Sequence, residues 1–159
     1  MQSAYLDIIA LVELLHRQFL ELVKLELDAN GTHDINNVQA MLVYNIGDLE
    51  MTVGELTLRG CYLGSNVSYN VKKMIENGYI AQERSSHDRR SVRVKVTDKG
   101  LSLQQKMKQM HERHMASLSQ NTIQLEELVS AHRALLELER FWTRAVEMDA
   151  RATSFLPAA

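Results

Sequence analysis

The residues best suited to chemistry in this chain fall in two short stretches of its middle third. In "SNVSYNVKKMIENG", residues 65–78, the polar Ser65, Asn66, Ser68, Tyr69, Lys72 and Lys73 are interleaved with Val67, Val71, Met74 and Ile75. At helical spacing the four apolar residues gather on one side and leave hydroxyl, amide and ammonium groups outside. Asparagine pairs bidentately with adenine, serine donates or accepts, and lysine reaches guanine or a phosphate, so these are the groups a helix needs in a DNA major groove. The same pattern also fits any amphipathic helix with a solvated outer face.

The second stretch, "SSHDRRSVRVKVTDKG", begins as a polar loop, with Asp88, Arg89 and Arg90 side by side. Val92, Val94 and Val96 then alternate with Arg93 and Lys95, a period of two that predicts a strand with one apolar and one basic face. "YIAQER" precedes the loop, so the two runs form a hairpin. Arginine on a thin projection suits a narrow minor groove, where negative potential is concentrated. Asp88 would orient an arginine through a carboxylate–guanidinium pair. On an exposed loop such a pair adds only ~0.2–1 kcal/mol, so its value is orientation.

Charge supports a polyanion partner for the centre alone. Residues 51–100 hold nine Lys/Arg against five Asp/Glu, whereas the two ends hold nine against fifteen. A basic centre between acidic ends points to contact with a polyanion there, or to a face that is merely solvated. The composition, 45% hydrophobic and 24% charged, is that of a globular chain. The single cysteine, Cys61, excludes an internal disulfide and fits a reducing compartment. The apolar N-terminal run carries Asp7, Glu13, Arg17, Glu21 and Lys24, which argues against a membrane span. With no basic start or small-residue cleavage site, a cytoplasmic location is expected.

Elements on both sides must position these stretches. Apolar residues from Tyr5 to Leu27 recur at helical spacing, with Gly31 as the stop. A second helix is expected from Ile35 to about Asp48, with Asp34 as N-cap. Thr52 and Glu55 read as a capping box opening a short helix, and Ser65 as the cap of the next, which ends at Gly78. After the hairpin, a long helix from about residue 101 breaks near Asn121 and Thr122. A last one runs from about Ile123 to Asp149, before a frayed tail, "RATSFLPAA". The expected fold is mainly α with a small two-stranded β wing, a winged helix-turn-helix with dimerisation helices at both ends. Residues 1–32 and 118–159 are the dimerisation arms of this single domain, 33–100 the winged helix-turn-helix and 101–117 a connecting helix. Each arm exposes a broad apolar stripe, and a second copy of the chain is the simplest cover.

Residues 51–100 resemble the winged helix-turn-helix core of the MarR family of bacterial transcriptional regulators. The family's wing pattern, D-x-R followed after five residues by L-T-x-x-G, is met by Asp88, Arg90, Thr97 and Gly100, with Val96 in place of Leu. "SNVSYNVKKMIENGYI" is similar to its recognition helix, and the flanking helices are of the family's kind and order. Within the family the closest likeness is to the LdtR-like branch, linked to control of L,D-transpeptidase genes. Tyr69 stands where many members carry Arg, which leaves base preference open. The resemblance implies a homodimer on a pseudo-palindromic double-stranded DNA operator, as repressor or activator, its two recognition helices ~34–36 Å apart. It also implies a small aromatic or acidic effector, bound between the dimerisation helices and the winged domain.

Candidate effector contacts are His16, Arg17, Phe19, Met41, Tyr44 and Asn45, with Met107 and Met110 closing the site; plain core packing would use the same residues. Cys61, just before the recognition helix, could serve as a thiol switch, although a buried small residue is the commoner role. His111 and His114 in "HERH" supply two of the three or four ligands a metal needs and are expected to face solvent. No nucleophile–base arrangement or phosphate-cradling glycine loop is present, so neither catalysis nor a cofactor is expected. Two alternatives stand beside the ligand-controlled regulator. One is a constitutive or Cys61-controlled DNA-binding protein, and the other a protein-interaction module on the same scaffold.

Overall fold

In the computed structural model, residues 2–47, 50–52, 54–56, 67–84, 92–121 and 123–154 are described. Helix α1 spans Gln2–Ala29 and ends in a tight backbone motif. The Thr32 N–H donates to the Leu27 carbonyl at 2.9 Å and the Gly31 N–H to the Asp28 carbonyl at 3.0 Å. That pair of bonds needs a left-handed residue between them, and Gly31 supplies it at φ 64°. The same motif recurs after α3 (Val67–Glu76), where Tyr79 N–H reaches the Met74 carbonyl, Gly78 N–H reaches that of Ile75, and Gly78 has φ 74°.

Helix α2 spans Asn37–Ile46, two residues shorter at its start than expected, and its cap is Asn36 rather than Asp34. Asn36 Oδ1 accepts from the Gln39 N–H at 2.8 Å, while Asn36 N–H donates back to Gln39 Oε1 at 3.2 Å. The Asp34 carboxylate is engaged elsewhere, with Tyr79 and Lys99.

The sheet has three strands, not the two expected. Strands β1 (Met51–Thr52), β2 (Ile80–Arg84) and β3 (Val92–Val96) are antiparallel in the order β1-β3-β2. Ile80 pairs with Val96 and Gln82 with Val94 on one side of β3, and Met51 with Val94 on the other. A two-residue strand has no periodicity of its own to read; pairing with β3, some forty residues away in sequence, creates it. Thr52 ends β1 and forms the expected capping box, its Oγ1 accepting from Glu55 N–H at 3.1 Å and its own N–H donating to Glu55 Oε2 at 2.6 Å. Residues 54–56 are helical behind it.

Helix α4 covers Asp98–Asn121 and α5 covers Leu125–Ser154, so α5 extends past Asp149 into the segment expected to fray. The chain forms two compact units, Met1–Glu112 and Arg113–Ala159, and the boundary falls within α4. The first unit holds the described core: Val23 and Leu27 of α1, Leu42, Val43 and Ile46 of α2, and Met74 of α3, with Ile80, Val94, Leu103, Met107 and Met110. In the second unit the described part of α5 is exposed along most of its length, and Leu125, Leu128, Val129, Phe141, Val146 and Met148 are large exposed apolar residues. Helix α1 likewise exposes Leu6, Leu11, Leu14, Leu15, Leu22 and Leu25. No described helix is long and apolar enough to cross a membrane.

Candidate nucleic-acid interface

Helix α3 is seated by its apolar side. Val71 and Met74 are buried and Ile75 packs partly against the core, as the wheel predicts. On the opposite side Ser68 and Tyr69 are exposed, Tyr69 at 59%, and the Lys72 side chain is 75% exposed. Asn70, on the seam between the faces, accepts from Gln39 Nε2 at 3.0 Å. Gln39 is buried, so this bond fixes α3 against α2 through a polar contact that tolerates little rotation. The sequence reading missed Gln39; its place three residues after Asn36, in a capping box, is the signal that could have found it.

The lysines of the outer face share one acid. Lys73 Nζ lies 2.8 Å from Glu76 Oε2, and Lys72 Nζ 3.8 Å from Oε1. The Glu76 carboxylate holds the Lys73 ammonium above its ordinary range, and Lys73, with Lys72, holds Glu76 below its own. Two cations and one anion leave this turn of α3 with a net positive charge at neutral pH. On the wing, Lys95 contacts Glu83 across the β2–β3 ladder, and that carboxylate raises the Lys95 pKa, while Arg93 is exposed. Ser65 and Asn66 before α3, Cys61, and Asp88, Arg89 and Arg90 of the wing loop lie outside the described residues.

The base of the wing is tied by polar bonds. Thr97 Oγ1 donates to the Gly78 carbonyl at 2.6 Å and accepts from Gly100 N–H at 3.2 Å, and Thr97 N–H donates to the Tyr79 carbonyl at 3.1 Å. Helix α4 comes so close to the end of α3 that a Cβ on residue 100 would lie 2.2 Å from the Tyr79 oxygen. This contact explains why the T-x-x-G spacing takes threonine and glycine.

Residues 35–100 match the model of a winged helix DNA-binding domain. Over 141 residues the chain is 35% identical to the exopolysaccharide II synthesis transcriptional activator ExpG of Rhizobium meliloti (strain 1021), a match covering 89% of this chain and 73% of that protein. The fold is shared with Streptococcus pneumoniae FabT in complex with DNA, at TM-score 0.68 and 22% identity over 89% of this chain and 99% of that one. It is also shared with Staphylococcus aureus MarR in complex with salicylate and kanamycin, at TM-score 0.72 and 17% identity, over 89% and 94% respectively. The chain belongs to the MarR family.

As a MarR-family protein it is a DNA-binding transcriptional regulator. Of the eight candidate effector contacts, three lie in the core, while Tyr44 and Asn45 share a cleft. Met41, Met107 and Met110 are core residues, Met107 fully buried. Phe19 stacks on His111 with ring centres 5.7 Å apart, and the Tyr44 ring meets the imidazole at a tilt, 5.2 Å between centres. His111 is therefore half-buried rather than solvent-facing, because the aromatic residues of α1 and α2 pack against it; His114 is half-buried as well. His16 is half-buried and Arg17 exposed on α1. Tyr44 and Asn45 line an open cleft of about 630 Å³ with Gly47, Leu101, Gln104 and Lys108. Among the described residues no cluster of three or more His, Cys, Asp or Glu side chains is placed to hold a metal.

Proposed function

We propose that the chain acts as a homodimer gripping a pseudo-palindromic operator. Ser65, Asn66, Ser68, Tyr69, Lys72 and Lys73 would face the major groove and its backbone, and Asp88, Arg89 and Arg90 the adjacent minor groove. The observation that carries this reading is α3 itself. One side of the helix is locked into the core by Val71 and Met74, and the other presents hydroxyls and two lysines to solvent. The exposed leucines of α1 and the apolar residues of α5 support a second copy as their cover, because stripes of that extent are costly in water. Two heads on a twofold axis double the phosphate contacts, and affinity becomes steeply salt-dependent.

Control by a small effector belongs to the same proposal. The cleft beside Tyr44 and Asn45 has the volume of a ligand site, and it borders α4, the helix that continues from the wing. A ligand that favours one dimer geometry would change the distance between reading heads, provided it binds the two states with different affinity. The relative ExpG is described as an activator, so repression or activation by this chain would follow from where its operator lies.

The test is selection of a duplex from a random pool by the purified protein, followed by fluorescence anisotropy across a salt series. A twofold-symmetric site and a steep negative slope of log K against log salt are expected. Failure to enrich any sequence, or a flat slope, would overturn the proposal. A flat slope with retained binding to another protein would favour the interaction-module alternative.

A further inference from the structure

Asp34 lies in the loop between α1 and α2, and α3 is the helix proposed above to meet DNA. The Asp34 carboxylate nevertheless takes part in a network ending on α3 and the wing. Asp34 Oδ1 accepts from the Tyr79 hydroxyl at 2.6 Å, and Oδ2 accepts from Lys99 Nζ at 2.5 Å. Lys99 Nζ also donates to the Asn77 carbonyl at 2.8 Å and sits 4.3 Å above the Tyr79 ring. The Asn77 side-chain amide donates to the Asp34 carbonyl. Asn77 and Tyr79 flank Gly78, where α3 stops and β2 begins, and Lys99 is in the first turn of α4 beyond β3. One carboxylate thus joins the exit of the reading helix to both ends of the wing.

The network suits orientation better than stability. Asp34 and Lys99 side chains are each 48% exposed, and ion pairs so open to water contribute little to folding. Yet Tyr79 is buried, and its hydroxyl donates to Asp34 Oδ1. Lys99 first, and then Tyr79, hold the Asp34 carboxyl below its usual range, so the carboxylate is ionised wherever the protein is folded near neutral pH.

We propose that Asp34 is a positioning residue for DNA binding, setting the angle of α3 and the wing relative to the rest of the head without touching DNA. The proposal rests on the winged-helix reading of α3, and electrostatics gives it a test of opposite sign. Removing an acid from a DNA-binding head should tighten DNA binding if charge alone mattered. If Asp34 sets geometry, removing it weakens binding.

The experiment measures affinity for the duplex selected by the wild-type protein, at fixed salt and well below the thermal midpoint, for Asp34→Ala, Asp34→Asn and Tyr79→Phe. Asp34→Ala should bind roughly fivefold to twentyfold more weakly, within the coupling seen for residues sharing a network. Asp34→Asn keeps an acceptor for Tyr79 and should fall between Asp34→Ala and wild type. Tyr79→Phe leaves charge unchanged and should weaken binding about twofold to fivefold. Circular dichroism and thermal midpoints report folding, and Tyr79→Phe, the mildest change, keeps the test open if Asp34→Ala unfolds. Affinity equal to or tighter than wild type in folded Asp34 variants, or no loss in Tyr79→Phe, would overturn the proposal. Wild-type protein that selects no duplex would instead refute the DNA-binding reading beneath it.

Discussion

Gly100→Ala should destabilise the winged head, although alanine is ordinarily the better helix former. Gly100 is in the first turn of α4, and its φ lies outside the left-handed region, so the backbone accepts alanine without strain. On propensity alone the change would gain up to ~1 kcal/mol. Space decides otherwise. The new methyl would lie 2.2 Å from the Tyr79 carbonyl oxygen and 2.5 Å from Val96 Cγ1, where ordinary carbon contacts are ~3.5–4.0 Å. α4 and the α3–β2 junction would have to part by more than about 1 Å. The Tyr79 carbonyl cannot swing aside freely, because it accepts from Thr97 N–H at 3.1 Å. Overpacking against fixed backbone costs ~1–3 kcal/mol and at times more, which outweighs the propensity gain. A clash this close belongs to the upper part of that range, so the net loss is ~1–2 kcal/mol, and with a urea slope of ~2 kcal/mol/M the unfolding midpoint should fall by ~0.5–1 M. Gly54→Ala is the control, since among the described residues its Cβ would meet nothing closer than Thr52 Oγ1 at 3.8 Å, and it should be neutral or slightly stabilising. A Gly100→Ala midpoint equal to or above wild type would refute the packing argument.

Other predictions use different readouts. Lys72→Gln, at a side chain 75% exposed, should reduce the salt slope of operator binding by ~1.8, one phosphate contact per protomer in a dimer; an unchanged slope would place Lys72 off the backbone. Gln39→Met removes the return bond to Asn36 N–H and the bond to Asn70 while keeping similar bulk, and should cost ~1–3 kcal/mol in urea unfolding. Because the Asp34 pKa is lowered on folding, its contribution to stability is present above the ordinary value of 3.8 and is lost as pH falls through the lowered one. The urea midpoint of the wild type should therefore drop more steeply in this acid range than that of Asp34→Asn, and parallel curves would exclude the linkage.

Local chemistry was legible in the sequence wherever residues act on near neighbours. The α3 wheel, the glycine stops at Gly31 and Gly78 and the Thr52–Glu55 capping box each involve residues within a few positions of one another, and all recur in the folded chain. The T-x-x-G spacing was also visible, although its reason was not, because the obstacle at Gly100 is a carbonyl twenty-one residues earlier. Tertiary structure alone decided the rest. Strand β1 exists because β3 offers it free ladder groups, and two residues carry no pattern that could announce this. Asp34 has the composition of a helix cap, but Tyr79 and Lys99, 45 and 65 positions away, claim its two oxygens and leave the cap to Asn36. Methionines that could line a ligand site became core at positions 41, 107 and 110, and His111 came to pack against the rings of Phe19 and Tyr44. Periodicity and capping are short-range and leave their mark along the chain. Which carboxylate meets which lysine, and which apolar side chain is covered, depends on distances that exist only once the chain has folded.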